Sequence, residues 1–251
     1  MSLLDKMRRA LSGARGRAPD KAGQVQASWE SLARHDPLWA IVSAPEKRGN
    51  RWDAEEFFAT GVVEVQYCLD VLSDIKAVPG KGHALDFGAG VGRLTQALAR
   101  HFDRVDGVDI SPTMLAQAQS YNRHPDRVRY VLGESDRLPL PDATYDLVLS
   151  KIVLQHMPPA MQQTYLREFL RVLVPGGYVI FQAVSKARHS NEGFFSTPVE
   201  TPDGTATIDM NVFAREAVMQ TVERAGGRIL HAIPDPSAGS DYESLLYVAT
   251  R

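Results

Sequence analysis

The segment Asp86-Phe87-Gly88-Ala89-Gly90-Val91-Gly92-Arg93 sets a carboxylate just before three alternating glycines. Glycines at this spacing permit a tight strand-to-helix turn and let a ligand approach the backbone closely. A dinucleotide fingerprint wants its third glycine one position later, where this chain carries Arg93. Asp86 would also repel a diphosphate at the helix N-terminus, whereas it would attract a ligand bearing an ammonium and a sulfonium. Asp109 follows about 20 residues beyond the loop, a position from which a carboxylate accepts hydrogen bonds from both hydroxyls of a ribose. The pair selects a positively charged nucleoside over NAD. Met114, one turn into the next helix, is suited either to an adenine face or to the core.

These side chains need a scaffold, and the apolar periodicity supplies one. His83–Phe87 reads as a strand entering the glycine loop and Leu94–His101 as the helix leaving it. Arg104–Asp109 is the next strand, after which Ser111-Pro112 offers an N-cap and a proline at the first helical position, with a helix to about Tyr121. Val128–Leu132 and Tyr145–Ser150 are further strands, Pro158–Leu173 a helix, Tyr178–Gln182 a fifth strand, and Val212–Ala225 a helix stopping at Gly226-Gly227. Arg228–Ala232 and Leu245–Ala249 close the chain as two strands, so the last enters antiparallel. Alternating strands and helices predict a Rossmann-like, doubly wound α/β sheet whose ligand sits at the carboxyl ends of the strands. The glycine loop, Asp109, the 133–136 turn and the 150–156 segment should converge there.

Upstream of Pro79-Gly80-Lys81-Gly82 only helices are expected: Ser28–His35, Pro37–Val42, and one from about Asp53 to Ile75, with Asp53 and Glu56 as a capping box. The chain thus divides into a helical extension over residues 1–78 and a core over 79–251. Leu4, Met7 and Leu11 mark a short basic amphipathic helix at the N-terminus, with Lys6, Arg8 and Arg9 off its stripe, before a linker at 12–19.

Of 251 residues, 44% are hydrophobic and 23% charged, the balance of a soluble globular protein, and no apolar run approaches a membrane span. A net charge of −2 and a pI near 6.4 lack the basic bias of a dedicated nucleic-acid binder and favour a small-molecule partner. The single cysteine, Cys68, forbids an intramolecular disulfide and fits a reducing, cytoplasmic location; its helical apolar setting reads as core packing. A homodimer is compatible with this composition.

The glycine run and Asp109, with Gly133-Glu134-Ser135-Asp136-Arg137-Leu138-Pro139 through Tyr145-Asp146-Leu147-Val148 and Leu170-Arg171-Val172-Leu173-Val174-Pro175-Gly176-Gly177, resemble the class I S-adenosylmethionine-dependent methyltransferases. The resemblance covers about residues 83–182. It implies a seven-stranded sheet of order 3-2-1-4-5-7-6 with strand 7 antiparallel. It further implies S-adenosylmethionine as cofactor and S-adenosylhomocysteine as product. Gly88, Ala89 and Gly90 would line the methionine moiety, and Asp86, Arg93, Ile110, Met114 and Lys151 would belong to the cofactor site. Asp109 would bind the ribose, and the 134–135 peptide, Glu134 and Ser135, would read the adenine edge. Gly133-Glu134-Ser135 departs from the usual Gly-Asp-Ala, but the longer carboxylate can still accept the adenine amine. Trp29, Asp36-Pro37-Leu38-Trp39 and Trp52–Gly61 are similar to the helical region that folds as a lid in small-molecule and sugar methyltransferases, or they glue the helices to the sheet.

A hydroxyl nucleophile benefits from a base, and two histidines are candidates. His156 closes Ser150-Lys151-Ile152-Val153-Leu154-Gln155-His156 after the fourth strand, and His189 lies in the loop after the fifth, beside Lys186 and Arg188, which suit a substrate carboxylate or phosphate; Tyr242 is a third. No His, Asp and Glu set has clear metal spacing, although a substrate-bridging Mg²⁺ needs only one or two carboxylates. Methyl transfer to oxygen or nitrogen of a small molecule is the leading expectation. An RNA or protein methyltransferase using the basic tail, and a cofactor-binding protein without transfer activity, are the alternatives.

Overall fold

The computed structural model describes residues 21–134 and 136–251. The expected N-terminal amphipathic helix and linker, and Ser135, lie outside them. Helices α1 (Lys21–His35), α2 (Pro37–Ile41) and α3 (Ala54–Asp74) precede the sheet. The Asp53 carboxylate accepts from Glu56 N at 3.0 Å, capping α3 as expected. The Glu56 side chain does not close the box, because Lys47 Nζ takes it at 2.5 Å.

Strands β1 (His83–Phe87), β2 (Arg104–Asp109), β3 (Val128–Leu132) and β4 (Tyr145–Ser150) alternate with α4 (Arg93–Leu98) and α5 (Pro112–Tyr121). Then come α6 (Pro159–Val172), β5 (Leu173–Ala187), β6 (Phe194–Thr201), β7 (Gly204–Asn211), α7 (Arg215–Arg224), β8 (Arg228–Pro234) and β9 (Tyr242–Thr250). The seven-stranded sheet runs β3-β2-β1-β4-β5-β9-β8, with β9 antiparallel to both neighbours. With the β6–β7 pair set aside, that is the expected 3-2-1-4-5-7-6 order. Ser111 caps α5 by accepting from Met114 N at 3.1 Å.

Side-chain alternation along the strands sends successive residues to opposite faces. Leu85, Phe87, Val148, Val179, Phe181 and Tyr247 pack against α6 and α7. Ala84, Leu147, Leu149, Ile180 and Val248 pack against α3 and α4. Asp86 shares the parity of Ala84, which aims it at the α4 layer. A third apolar cluster joins α1, α2 and the start of α3 to Val91, Met114 and two hairpin residues, Val199 and Ala206.

The β6–β7 hairpin is absent from the sequence expectation, which placed no element between Gln182 and Val212. Its signal was present: Pro202-Asp203 forms the two-residue turn between Thr201 and Gly204, flanked by β-branched residues. Among the described residues the hairpin pairs only with itself, and it rests on α1, where Ser28 Oγ lies 3.2 Å from Thr207 Oγ1 and Arg34 pairs with Asp203 at 2.7 Å. Strand β5 also runs five residues beyond each end of the expected Tyr178–Gln182, from Leu173 to Ala187, because Leu173 pairs with Tyr145 of β4 and β9 pairs along the strand as far as Ala187.

Candidate active site

The loop after β1 is anchored from below: Gly88 N and Ala89 N both donate to Val108 O, at 2.8 and 2.9 Å. Gly88 and Gly90 adopt φ of 79° and 53°, in the left-handed region. A Cβ at Gly88 would also meet the Val153 side chain at 2.2 Å and one at Gly90 the tip of Ile41 at 2.5 Å, so those side chains would have to shift to admit either. Asp109, at the end of β2, accepts from Gly90 N at 2.8 Å through Oδ2 and from Ser111 N at 2.9 Å through Oδ1. Burial pushes its pKa upward against these bonds.

A crevice of about 970 Å³, counting its open mouth, lies at the carboxyl ends of β1, β2 and β4. The structure brings ten of the thirteen sequence-predicted residues to its wall: Gly88, Ala89, Gly90, Arg93, Asp109, Ile110, Met114, Glu134, Lys151 and His156. Val25, Trp29, Ala40 and Ile41 of α1 and α2 roof it. The roof is clasped to the second βα turn by Glu30, which accepts from Ser111 Oγ at 2.6 Å and from the Thr113 hydroxyl. Gln26 Nε2 donates to Ile110 O at 3.1 Å and Gln117 Nε2 to Ala33 O at 2.8 Å, completing the clasp. Glu30 had no signal in the sequence, because an exposed-looking glutamate on a helix is unremarkable until its partners are known.

Asp86 is buried behind the loop rather than on the crevice wall, as its strand parity requires. Thr95 Oγ1 donates to its Oδ2 at 2.6 Å, while Oδ1 has no hydrogen-bond partner. Burial pushes its pKa up to about 6. The Arg93 guanidinium is also buried, with one 3.3 Å bond to Thr60 Oγ1 and no partner at Nε. A buried anion and a buried cation with unused capacity therefore flank the loop. This fits a ligand carrying both an ammonium and a carboxylate.

Lys151 is committed elsewhere. Its ammonium contacts Asp235, Glu64 Oε1 at 3.0 Å and Ser237 Oγ at 3.3 Å. Burial opposes the charge, but the two carboxylates hold the pKa above its ordinary value. These partners come from α3 and the β8–β9 loop, and nothing in the motif around Lys151 announces them.

The His156 ring lines the crevice and meets Trp29 edge-on, with centroids 5.0 Å apart. Its Nδ1 lies 2.7 Å from Asp209 O of the hairpin and its Nε2 lies 3.2 Å from Gln155 Nε2. The Asp209 carbonyl facing Nδ1 favours the proton there and the lone pair on Nε2. Burial lowers the pKa and favours this neutral form. His189 lies exposed in the loop after β5 and does not line the crevice. Arg188 beside it is spent on Tyr242 O at 3.3 Å and on Glu243 at 3.6 Å. Cys68 is buried and its thiol pushed up to about 12 by burial, which suits packing. Among the described residues no group of three His, Cys, Asp or Glu side chains could hold a metal, and no helix is long and apolar enough to cross a membrane.

Residues 85–181 match the family described as "Methyltransferase domain". An uncharacterized methyltransferase of Synechocystis is 32% identical over 159 residues, 63% of this chain and 68% of that protein. A malonyl-[acyl-carrier protein] O-methyltransferase of Halorhodospira halophila is 35% identical over 115 residues, covering 45% of this chain but only 38% of its own length. Among solved structures, CalS10, an amino pentose methyltransferase of Micromonospora echinaspora with S-adenosylmethionine bound, superimposes with a TM-score of 0.56 at 20% identity, over 74% of this chain and 90% of that one. That likeness is one of fold.

Proposed function

This chain belongs to the class I S-adenosylmethionine-dependent methyltransferases, and from that premise we propose that it methylates an oxygen or nitrogen of a small molecule in the roofed crevice. The observation that carries the reading is the pairing of the Gly88–Gly92 loop with Asp109 beneath a lid of α1 and α2. When bound, the cofactor supplies an electrophilic methyl group on a sulfonium. The chain's own work is then to align an acceptor and exclude water, for which positioning contributes about 7–11 kcal/mol where geometry is good.

In this reading the Asp109 carboxylate exchanges its Gly90 and Ser111 amides for ribose hydroxyls. Met114 and Ile110 pack beside the base, and the Glu134 side chain takes its edge. Arg93 meets the cofactor's carboxylate, and Asp86 favours its positive charge from behind the loop. Lys151 acts through structure, tying α3 and the β8–β9 loop to the end of β4. His156 serves as base: Asp209 O keeps the proton on Nδ1, and the acceptor hydroxyl replaces the Gln155 amide at Nε2. The enclosed crevice with a two-helix roof favours a small acceptor over a polymer. A screen of methyl transfer to hydroxylated acids, sugars and amines, read as S-adenosylhomocysteine release, tests the proposal; cofactor binding without turnover across all classes would overturn it.

A further inference from the structure

The proposed function requires an acceptor beside the sulfonium, and the part of the wall left over after the cofactor bears on what that acceptor is. Beyond the glycine loop and Asp109, the wall is built from Trp29, Ile41, Val153, Met157 and Met161, with the His156 ring among them. Indole and thioether groups of this kind gather around aromatic rings, sulfur favouring the ring edge. Charge is the second constraint. The other charged groups on the wall are Arg93, Asp109, Glu134 and Lys151. Two of these are acids, Arg93 stands at the glycine loop, and Lys151 is shared between Glu64 and Asp235. His156 is held neutral by burial. Arg188, which the sequence offered as an anion contact, is engaged with Tyr242 and Glu243 away from the wall. At the His156 end, among the described residues, no cation on the wall is left unpaired for an anionic acceptor, and an unpaired anion is expensive to desolvate.

We infer that the acceptor is an uncharged molecule carrying an aromatic ring, seated between Trp29 and the Met157 and Met161 side chains with its nucleophilic atom toward His156, and that carboxylated acceptors are rejected. The inference rests on the methyltransferase reading of the crevice. The test uses the full chain loaded with S-adenosylhomocysteine and two probes of one ring system, 2-naphthol and 6-hydroxy-2-naphthoate, titrated calorimetrically at neutral pH. The naphthol should bind saturably and the carboxylate roughly tenfold more weakly or worse. Trp29→Ala should lose about tenfold in naphthol affinity and Trp29→Phe should recover most of it, with a clearly smaller loss in S-adenosylhomocysteine affinity. Met161→Lys should invert the preference toward the carboxylate. Equal or tighter binding of the carboxylate to the unaltered protein, no binding of either probe, or indifference to Trp29→Ala would overturn the inference and leave the methyltransferase reading intact. Failure of S-adenosylhomocysteine itself to bind would instead overturn the reading on which it rests.

Discussion

Strand β2 carries two aspartates, three residues apart, that meet opposite fates. Asp106 lies toward the amino end of the strand, on the α6 and α7 face. It accepts from Arg129 Nε at 3.0 Å, from Arg129 Nη2 at 2.5 Å and from Tyr145 Oη at 2.6 Å, with His83 Nε2 3.3 Å away. Burial alone would raise its pKa, yet these neighbours hold it well below the usual carboxylate range. Asp109 lies at the carboxyl end with two backbone amides and no cation among its bonds, and its pKa is raised by burial. Asp86, on the next strand, is likewise under-satisfied and raised, to about 6. Saturated carboxylates stabilise the fold; those left with spare acceptor capacity are the ones that can serve a ligand, Asp109 by contact from the crevice wall and Asp86 by its charge from behind the loop.

That contrast predicts opposite consequences for substitution. Asp106→Ala should cost the most stability, about 2–3 kcal/mol in the unfolding free energy from denaturant titration; this is less than the 3–5 typical of a fully buried pair, because Arg129 can turn to solvent. Cofactor affinity should barely change, and a large loss of affinity would dissolve the division between the two ends of β2. Asp109→Ala should do the reverse, weakening S-adenosylmethionine binding by about tenfold or more, roughly 1.4 kcal/mol, with a smaller shift in midpoint. Unchanged affinity by calorimetry would refute the ribose placement.

Asp86→Asn sharpens the comparison from a third direction. It retains an acceptor for Thr95 and removes a buried charge, so it should stabilise the cofactor-free protein at neutral pH by about 1 kcal/mol while weakening cofactor binding severalfold. The sign follows from linkage. Because folding raises the Asp86 pKa from 3.8 to about 6, its contribution to stability is complete below 3.8 and is lost as pH rises through about 6. The Asp106 contribution runs the other way, present above its ordinary value of 3.8 and lost only in stronger acid. A melting profile of Asp86→Asn parallel to the unaltered protein between pH 5 and 7 would contradict this. The smallest effect is expected for Glu30→Ala, which releases the clasp of α1 on Ser111 and Thr113: faster amide exchange in α1 and about threefold weaker cofactor binding. Exchange rates confined to their original values would show that the apolar cluster alone holds the lid.

Much of this organisation was legible in the amino-acid sequence because it depends on near neighbours. The strands from His83 to Ser150, the Asp53 and Ser111 caps, the glycine loop and the antiparallel last strand follow from periodicity, turn chemistry and residues a few positions apart. The charge pattern suggested that Asp86 faces the ligand directly, whereas its place in β1, with the parity of Ala84, turns it into the α4 layer.

What only the tertiary structure decided are pairings between distant segments. Lys151 and Asp235 are 84 residues apart, Glu30 and Ser111 are 81 apart, and His156 meets Asp209 across 53 positions of chain. The same holds for the placement of His189 outside the crevice and for the hairpin that fixes the His156 proton. Local propensity specifies which elements form and which faces they bury; the partner of a polar side chain is chosen when those elements pack, because burial forces each charge or hydrogen-bonding group to find whatever complement the other segments bring.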